Sequence, residues 1–247
     1  MRLNGQTILV TGGASGVGLA LTRALHARGN QVLVVGRDET KLRAAATELP
    51  SIQTLQCDLA QPEALKILVD RVREMTPELS VLINNAAVQL NYTFETAGDI
   101  QPRIAAELHT NLYAPIALTA ALLPLLTRQP EAAVVNVTST LALAPKRSAA
   151  VYAAGKAGLR AFTQALRLQA RVGFPEVRVV EAMLPLVDTA MTLGRGEGRK
   201  ISPEQAANSI LRGLERDQQE ILVGFARPFV ILHRLFPSIA ARLTRDG

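Results

Sequence analysis

Thr7-Ile8-Leu9-Val10-Thr11-Gly12-Gly13-Ala14-Ser15-Gly16-Val17-Gly18 is the stretch that decides the fold. Its first five residues form an apolar, β-branched run that stops at a glycine cluster, as a buried strand does. The glycines permit a tight turn and let the backbone approach a ligand closely. From Gly16 onward the pattern is helical. A helix N-terminus opening directly from such a turn offers free N–H groups and a positive dipole end to an anion. The pyrophosphate of a dinucleotide suits that arrangement, with Gly12, Ser15, Gly16, Val17 and Gly18 as the cradle. A tight turn without a ligand is the plainer alternative.

The same alternation continues along the chain. Strands are predicted at Thr7–Thr11, Gln31–Gly36, Ile52–Gln56, Val81–Asn84, Ala133–Val137, Val177–Glu181 and Glu220–Val223. Helices are predicted near 16–28, 39–48, 62–75, 101–127, 150–172 and 203–216. The central strands are continuous apolar runs, as parallel strands buried on both faces are. Regular strand–helix alternation implies an α/β chain: a single Rossmann-type domain over residues 1–247, with a doubly wound parallel sheet of about seven strands. No linker, repeat or low-complexity tract divides it.

Composition narrows the function classes. Cys57 is the one cysteine, so an internal disulfide or a multi-cysteine metal site is excluded. His26, His109 and His233 are far apart and match no metal-ligand spacing. No uncharged apolar run reaches the roughly 18 residues of a membrane span. The start lacks a signal-peptide pattern, so a reducing cytoplasm is expected. The formal charge is +6, but the basic residues are scattered and Trp is absent, which argues against a nucleic-acid partner.

Two further stretches carry chemistry. The second strand ends Val34-Val35-Gly36-Arg37-Asp38. An acidic residue here accepts from ribose hydroxyls and favours NAD; an arginine pairs with a 2′-phosphate and favours NADP. Arg37 comes first and Asp38 is a candidate helix cap, so NADP(H) is favoured and NAD(H) stays possible. Tyr152-Ala153-Ala154-Gly155-Lys156 places a phenol and an ammonium on one helix face. A phenol's pKa of about 10 falls toward working pH beside a cation. Such a pair can pass a proton to or from an alcohol oxygen, although a solvated Tyr/Lys pair is common on helices.

Together these residues resemble the short-chain dehydrogenase/reductase family over essentially the whole chain. The glycine turn is similar to its T-G-x-x-x-G-x-G, and Asn84-Asn85-Ala86-Ala87 to its N-N-A-G. The resemblance implies a catalytic set of Asn111, Ser139, Tyr152 and Lys156. It implies cofactor contacts at Asp58, Leu59, Asn85, Ala86, Tyr152, Lys156, Pro185 and Thr189. In that set Ser139 holds a substrate oxygen, Tyr152 transfers the proton, Lys156 lowers the tyrosine pKa and binds the nicotinamide ribose, and Asn111 holds a relaying water. No metal is implied, and a homodimer or homotetramer is expected. Ala87 and Leu186 depart from the family's glycines, and Leu186 bears on substrate size. Pro185-Leu186-Val187-Asp188-Thr189 looks closest to a branch labelled after D-alanine esterification of teichoic acids, a label that says little about substrate.

The expected activity is NAD(P)-dependent hydride transfer between nicotinamide and a carbonyl or secondary alcohol. The alternative is a non-catalytic dinucleotide-binding sensor or interaction protein, since fold never guarantees activity. Candidate substrate residues are Leu141 and Leu186, with Val88, Gln89, Leu90, Ala142, Leu143, Met183 and Leu184 nearby; most are aliphatic, so a largely apolar small molecule is expected. The glycine-rich, basic loop near 189–201 reads as mobile, either a surface loop or a lid. The apolar segment 225–243, interrupted by Pro237, has three readings: a core-covering helix, a dimer or lid element, or an amphipathic segment on a membrane surface.

Overall fold

The computed structural model describes residues 1–95, 98–194 and 200–245. In chain order the elements are β1 (Thr7–Thr11), α1 (Gly16–His26), β2 (Gln31–Gly36), α2 (Glu39–Glu48), β3 (Gln53–Gln56), α3 (Pro62–Met75), β4 (Val81–Asn84), α4 (Gln101–Leu108), α5 (Ala114–Leu126), β5 (Ala132–Ser139), α6 (Ala150–Gly173), β6 (Val177–Leu184), α7 (Pro203–Glu215), β7 (Glu220–Leu222), α8 (Ala226–Leu235) and α9 (Pro237–Arg245). The strands form one sheet in the order β3-β2-β1-β4-β5-β6-β7, and every pairing is parallel.

Alternation within the strands splits the core into two layers. Ile8 and Val10 of β1 pack with Leu21 of α1 and Ile210 of α7 on one face. Leu9 between them packs with Val72 of α3, Leu118 of α5 and Leu166 of α6 on the other. The strand order reverses direction between β1 and β4, which places a crevice at their carboxyl ends.

Most boundaries follow the sequence pattern. Asp38 caps α2, its Oδ1 accepting from Lys41 N at 3.1 Å. Ser202 and Gln205 form a capping box at the start of α7. Two departures bear on the site. First, β5 and β6 run on to Ser139 and Leu184, beyond the apolar runs. Thr138 and Glu181 interrupt those runs but are mutually satisfied: Thr138 Oγ1 donates to Glu181 Oε1 at 2.7 Å, and Arg160 Nη1 donates to Glu181 Oε2 at 2.7 Å. Pairing therefore continues with the polar groups buried.

Second, the helix expected over 101–127 is interrupted by a turn of π-helix at His109–Tyr113. By length and composition, Gln101–Leu126 would suffice to cross a membrane, with a mean hydropathy of 1.2. Its apolar side chains are those of a core helix, however. Leu118, Leu122 and Leu126 are fully buried, and α5 packs against α3, α6 and the sheet.

Candidate active site

The glycine turn is shaped by steric necessity at two positions. Gly12 has φ +67°, and a Cβ on it would lie 3.0 Å from Ala86 Cα. Gly18 has an ordinary φ, yet a Cβ there would meet Gly12 O at 2.1 Å, so α1 can pack onto the turn only without a side chain. Thr11 ties the turn to β4: its Oγ1 accepts from Asn85 N and Ala86 N at 3.0 Å each, and its carbonyl accepts from Asn85 Nδ2 at 2.9 Å. Asn85 thus acts as a clamp across the switch point between β1 and β4.

These elements edge a cleft of about 1070 Å³ along the carboxyl ends of the strands. It is lined by Gly12, Ser15, Gly16, Val17, Gly18, Arg37, Asp58, Leu59, Asn85, Ala86, Ser139, Leu141, Tyr152, Lys156, Pro185, Leu186 and Thr189. The structure therefore brings together the expected cofactor-binding residues with Ser139, Leu141 and Leu186, while Asn111 lies outside the lining.

The chemistry of the donor set fits a nicotinamide dinucleotide. Ser15 stands at the N-cap of α1 without a side-chain capping bond, and the first turn of α1 has no acidic residue. Its N–H groups and dipole are thus unopposed for a pyrophosphate. Among the described residues, Thr110 Oγ1 is buried without a hydrogen-bond partner, and Thr110 belongs to the cleft wall. Asp38 lies on the cleft but is occupied as a helix cap and as the ion-pair partner of Lys41 at 3.4 Å. Arg37 is exposed beside it.

At the far end, α6 carries Tyr152 and Lys156 on its inner face, both buried. Lys156 Nζ donates to Val137 O at 2.7 Å and lies 5.9 Å from the centre of the Tyr152 ring. Burial pushes the Lys156 ammonium down to about 8. Ser139 ends β5 and faces the same cleft, its Oγ accepting from Leu141 N at 3.2 Å. Cys57 also reaches the cleft, but burial pushes its thiol up to about 11, leaving it protonated and inert.

Asn111 is fully buried within the π-helical turn, and its side chain binds the backbone of Val88. Nδ2 donates to Val88 O at 2.7 Å and Oδ1 accepts from Val88 N at 2.9 Å. Each end of the amide keeps a second hydrogen-bonding valence, so the grip on Val88 and the expected water-holding role are compatible. Among the substrate candidates, Val88, Gln89, Leu90 and Leu184 line the cleft; Met183 is instead buried in the core, and Ala142 and Leu143 lie off the cleft wall.

The loop after β6 is pinned at its base by a parallel bridge from Val187 to Ile201. A short 3-10 turn at Ala190–Thr192 follows, and Lys200 Nζ donates to Thr192 O at 2.8 Å. Thr189 comes within 3.0 Å of where a Cβ on Gly16 would sit, joining this loop to the glycine turn. Arg195 and Arg199, in the stretch expected to be mobile, lie outside the described residues.

The family profile described as short chain dehydrogenase matches residues 6–200. The chain belongs to the short-chain dehydrogenase family. It is an oxidoreductase of that family, similar to the uncharacterized oxidoreductase DltE of Bacillus subtilis (strain 168), with 38% identity over 226 residues covering 90% of this chain and 89% of DltE. A short-chain dehydrogenase from Burkholderia cenocepacia J2315, solved in complex with NADP, superposes with a TM-score of 0.85 at 26% identity, covering 98% of this chain and 99% of that one. A family member from Burkholderia phymatum, solved in complex with NAD, has a TM-score of 0.86 over 100% and 97% of the two chains, but at 18% identity it speaks for the fold alone.

Sequence reasoning missed three features of this site. Gly155 is one: a Cβ on it would come within 3.3 Å of Asn111 Cβ, so the glycine inside the Tyr–Lys stretch lets the π-helical turn approach α6. Glu107 is another, almost completely buried one helical turn before Asn111. It accepts from Leu90 N at 2.9 Å and Tyr92 Oη at 3.0 Å. The spacing of four to Asn111 was the available signal, but a lone glutamate in an amphipathic helix reads as solvated. The third is a set of cleft residues in the apolar segment 225–243, read from sequence as a core-covering helix, a dimer or lid element, or a membrane-surface segment: Phe229, Leu232 and Leu243 of the α8–α9 hairpin line the cleft. With only Ala226 and Ala240 buried, the hairpin is no core-covering helix.

Proposed function

We propose that this chain is an NADP(H)-dependent oxidoreductase that interconverts a largely apolar carbonyl compound and its secondary alcohol, with Tyr152 as general acid and base. The observation that carries the reading is the burial of Tyr152 and Lys156 together on one face of α6, in the cleft that begins at the glycine turn. The bound nicotinamide would supply or accept the hydride. In the reducing direction the Tyr152 hydroxyl gives its proton to the carbonyl oxygen, while the Ser139 hydroxyl donates a hydrogen bond that positions that oxygen. Charged Lys156 offsets the negative charge left on the phenolate. Asn111 and Glu107 act by fixing the wall at Val88 to Tyr92.

The aliphatic lining favours an apolar substrate: Val88, Leu90, Leu141, Leu184 and Leu186 face it, with Phe229 and Leu232 beyond. NADP(H) is favoured because Asp38 is held by Lys41 while Arg37 is exposed at the cleft edge, and Lys41 adds a second cation there. The NADP-bound relative from Burkholderia cenocepacia supports the same choice. A single functional domain in the cytoplasm, working as a homo-oligomer with the loop near 189–201 bordering the substrate, completes the reading. Outward-facing Leu168 and Val172 on α6 support the oligomer.

The test is fluorescence titration with NADPH and NADH, followed by cofactor oxidation against apolar aldehydes, ketones and diketones. Tyr152→Phe should lower turnover about 100-fold or more while NADPH binding persists. Turnover at the wild-type level in that variant would end the proposed role, and tighter NADH binding would make Asp38 the selector.

A further inference from the structure

The hairpin α8–α9 presents an outer surface that the cleft does not explain. Ile231, Leu235, Phe236 and Ile239 are 47–62% exposed. Ile231 and Leu235 are one turn apart on α8, so they share a stripe that faces away from buried Ala226. Phe236 at the bend and Ile239 at the start of α9 continue this apolar ridge. Arg227, Arg234 and Arg242 flank it, all exposed and none in an ion pair among the described residues. Between Ile221 and Arg245 the sequence contains no Asp or Glu. The hairpin is therefore apolar along one stripe and purely cationic beside it, as helices lying in a lipid–water boundary are.

We infer that α8–α9 docks the protein on an anionic lipid surface, with the apolar ridge at the acyl boundary and the arginines among the headgroups. Charge complementarity selects this occupant over a second copy of the chain. A two-fold contact would bring the same patch against itself, opposing arginines to arginines with no carboxylate in either hairpin. The inner side of the hairpin walls the cleft through Phe229 and Leu232, so docking places the cleft mouth beside the bilayer. An apolar compound could then enter without crossing bulk water.

The experiment is co-sedimentation of the full chain with vesicles of phosphatidylglycerol and phosphatidylcholine, against vesicles of phosphatidylcholine alone. Three arginines near an anionic surface predict a preference on the order of 100-fold at low salt, collapsing in 0.5 M salt. The variant Ile231→Ser/Leu235→Ser/Phe236→Ser/Ile239→Ser and, separately, Arg227→Glu/Arg234→Glu/Arg242→Glu should each abolish binding, with NADPH titration and far-UV circular dichroism verifying the fold. The second variant keeps the apolar ridge, so a folding failure of the first leaves the test intact. Equal binding to both vesicle types, no binding, or binding that survives the charge reversal would overturn the inference. So would light scattering that shows a dimer lost with the serine variant in a protein that ignores vesicles.

Discussion

Asn111 grips Val88 by both ends of its amide, Nδ2 to the carbonyl at 2.7 Å and Oδ1 to the N–H at 2.9 Å. The π-helical turn aims this side chain at the strand-end loop, and Gly155 gives it room beside α6. Replacing Asn111 by Ala removes both partners from the half-buried backbone of Val88 on the cleft wall. A loss of about 2–4 kcal/mol is expected, read by urea unfolding, together with a rise in KM as the Val88 wall loosens. Asn111→Asp should be as damaging, because a carboxylate oxygen then faces Val88 O where a donor is needed. An Asp variant with normal KM and stability would show that the clamp is dispensable.

Lys156 should cost the fold stability that its chemistry requires. Its folded pKa is about 8 against the usual 10.5, so between these values the unfolded chain binds more protons than the folded one. Stability from this group therefore increases as pH rises from about 8 to about 10.5, and the full cost is felt below pH 8. Lys156→Met should raise unfolding free energy by roughly 1–3 kcal/mol at pH 7, with a smaller gain at pH 10, while turnover is lost. Denaturant titrations at the two pH values test this; a destabilised variant at pH 7 would contradict the buried-charge account.

Glu107 is a positioning residue. Burial raises its carboxyl above the usual range, opposed by the Leu90 N–H and the Tyr92 hydroxyl it accepts from. Glu107→Gln retains an acceptor for Leu90 and offers a donor to Tyr92, so activity and stability should be near wild type. Glu107→Leu leaves both partners unmet and should cost about 1–3 kcal/mol and raise KM more than it lowers kcat. Rescue by Gln but not Leu separates this role from proton transfer. Loss of turnover in Gln with KM unchanged would place the proton in the chemistry instead.

Gly18→Ala should abolish dinucleotide binding. The added Cβ would sit 2.1 Å from Gly12 O, and α1 must retreat from the turn to admit it. Gly173, in contrast, has open space where a Cβ would go, so Gly173→Ala serves as a matched control that retains binding. NADPH titration compares them, and tight binding by Gly18→Ala would mean that the turn yields easily.

The sheet was legible because parallel strands buried on both faces are written as unbroken apolar runs, such as Ile8-Leu9-Val10 and Val81-Leu82-Ile83. The ends of β5 and β6 were not, since Thr138 and Glu181 look like turn or surface residues until Arg160 is placed against them. The cleft residues were legible through spacing and family resemblance. What spacing did not carry was contact between distant segments: Glu107 with Leu90, Asn111 with Val88, and the hairpin across the mouth. The π-helical turn leaves no compositional mark, because Leu108-His109-Thr110-Asn111 suits an ordinary helix equally well.

Asp38 closes α2 by accepting from Lys41, and Arg37 stands next to it with its side chain in solvent. On the proposed NADP(H) reading, two adjacent positions divide two duties, one architectural and one discriminating. An exchange at Arg37 removes no buried contact and leaves the helix cap whole, so the preference between two dinucleotides becomes a separable module. If Arg37 is the selector proposed above, a single surface replacement would retune that preference without renegotiating the core.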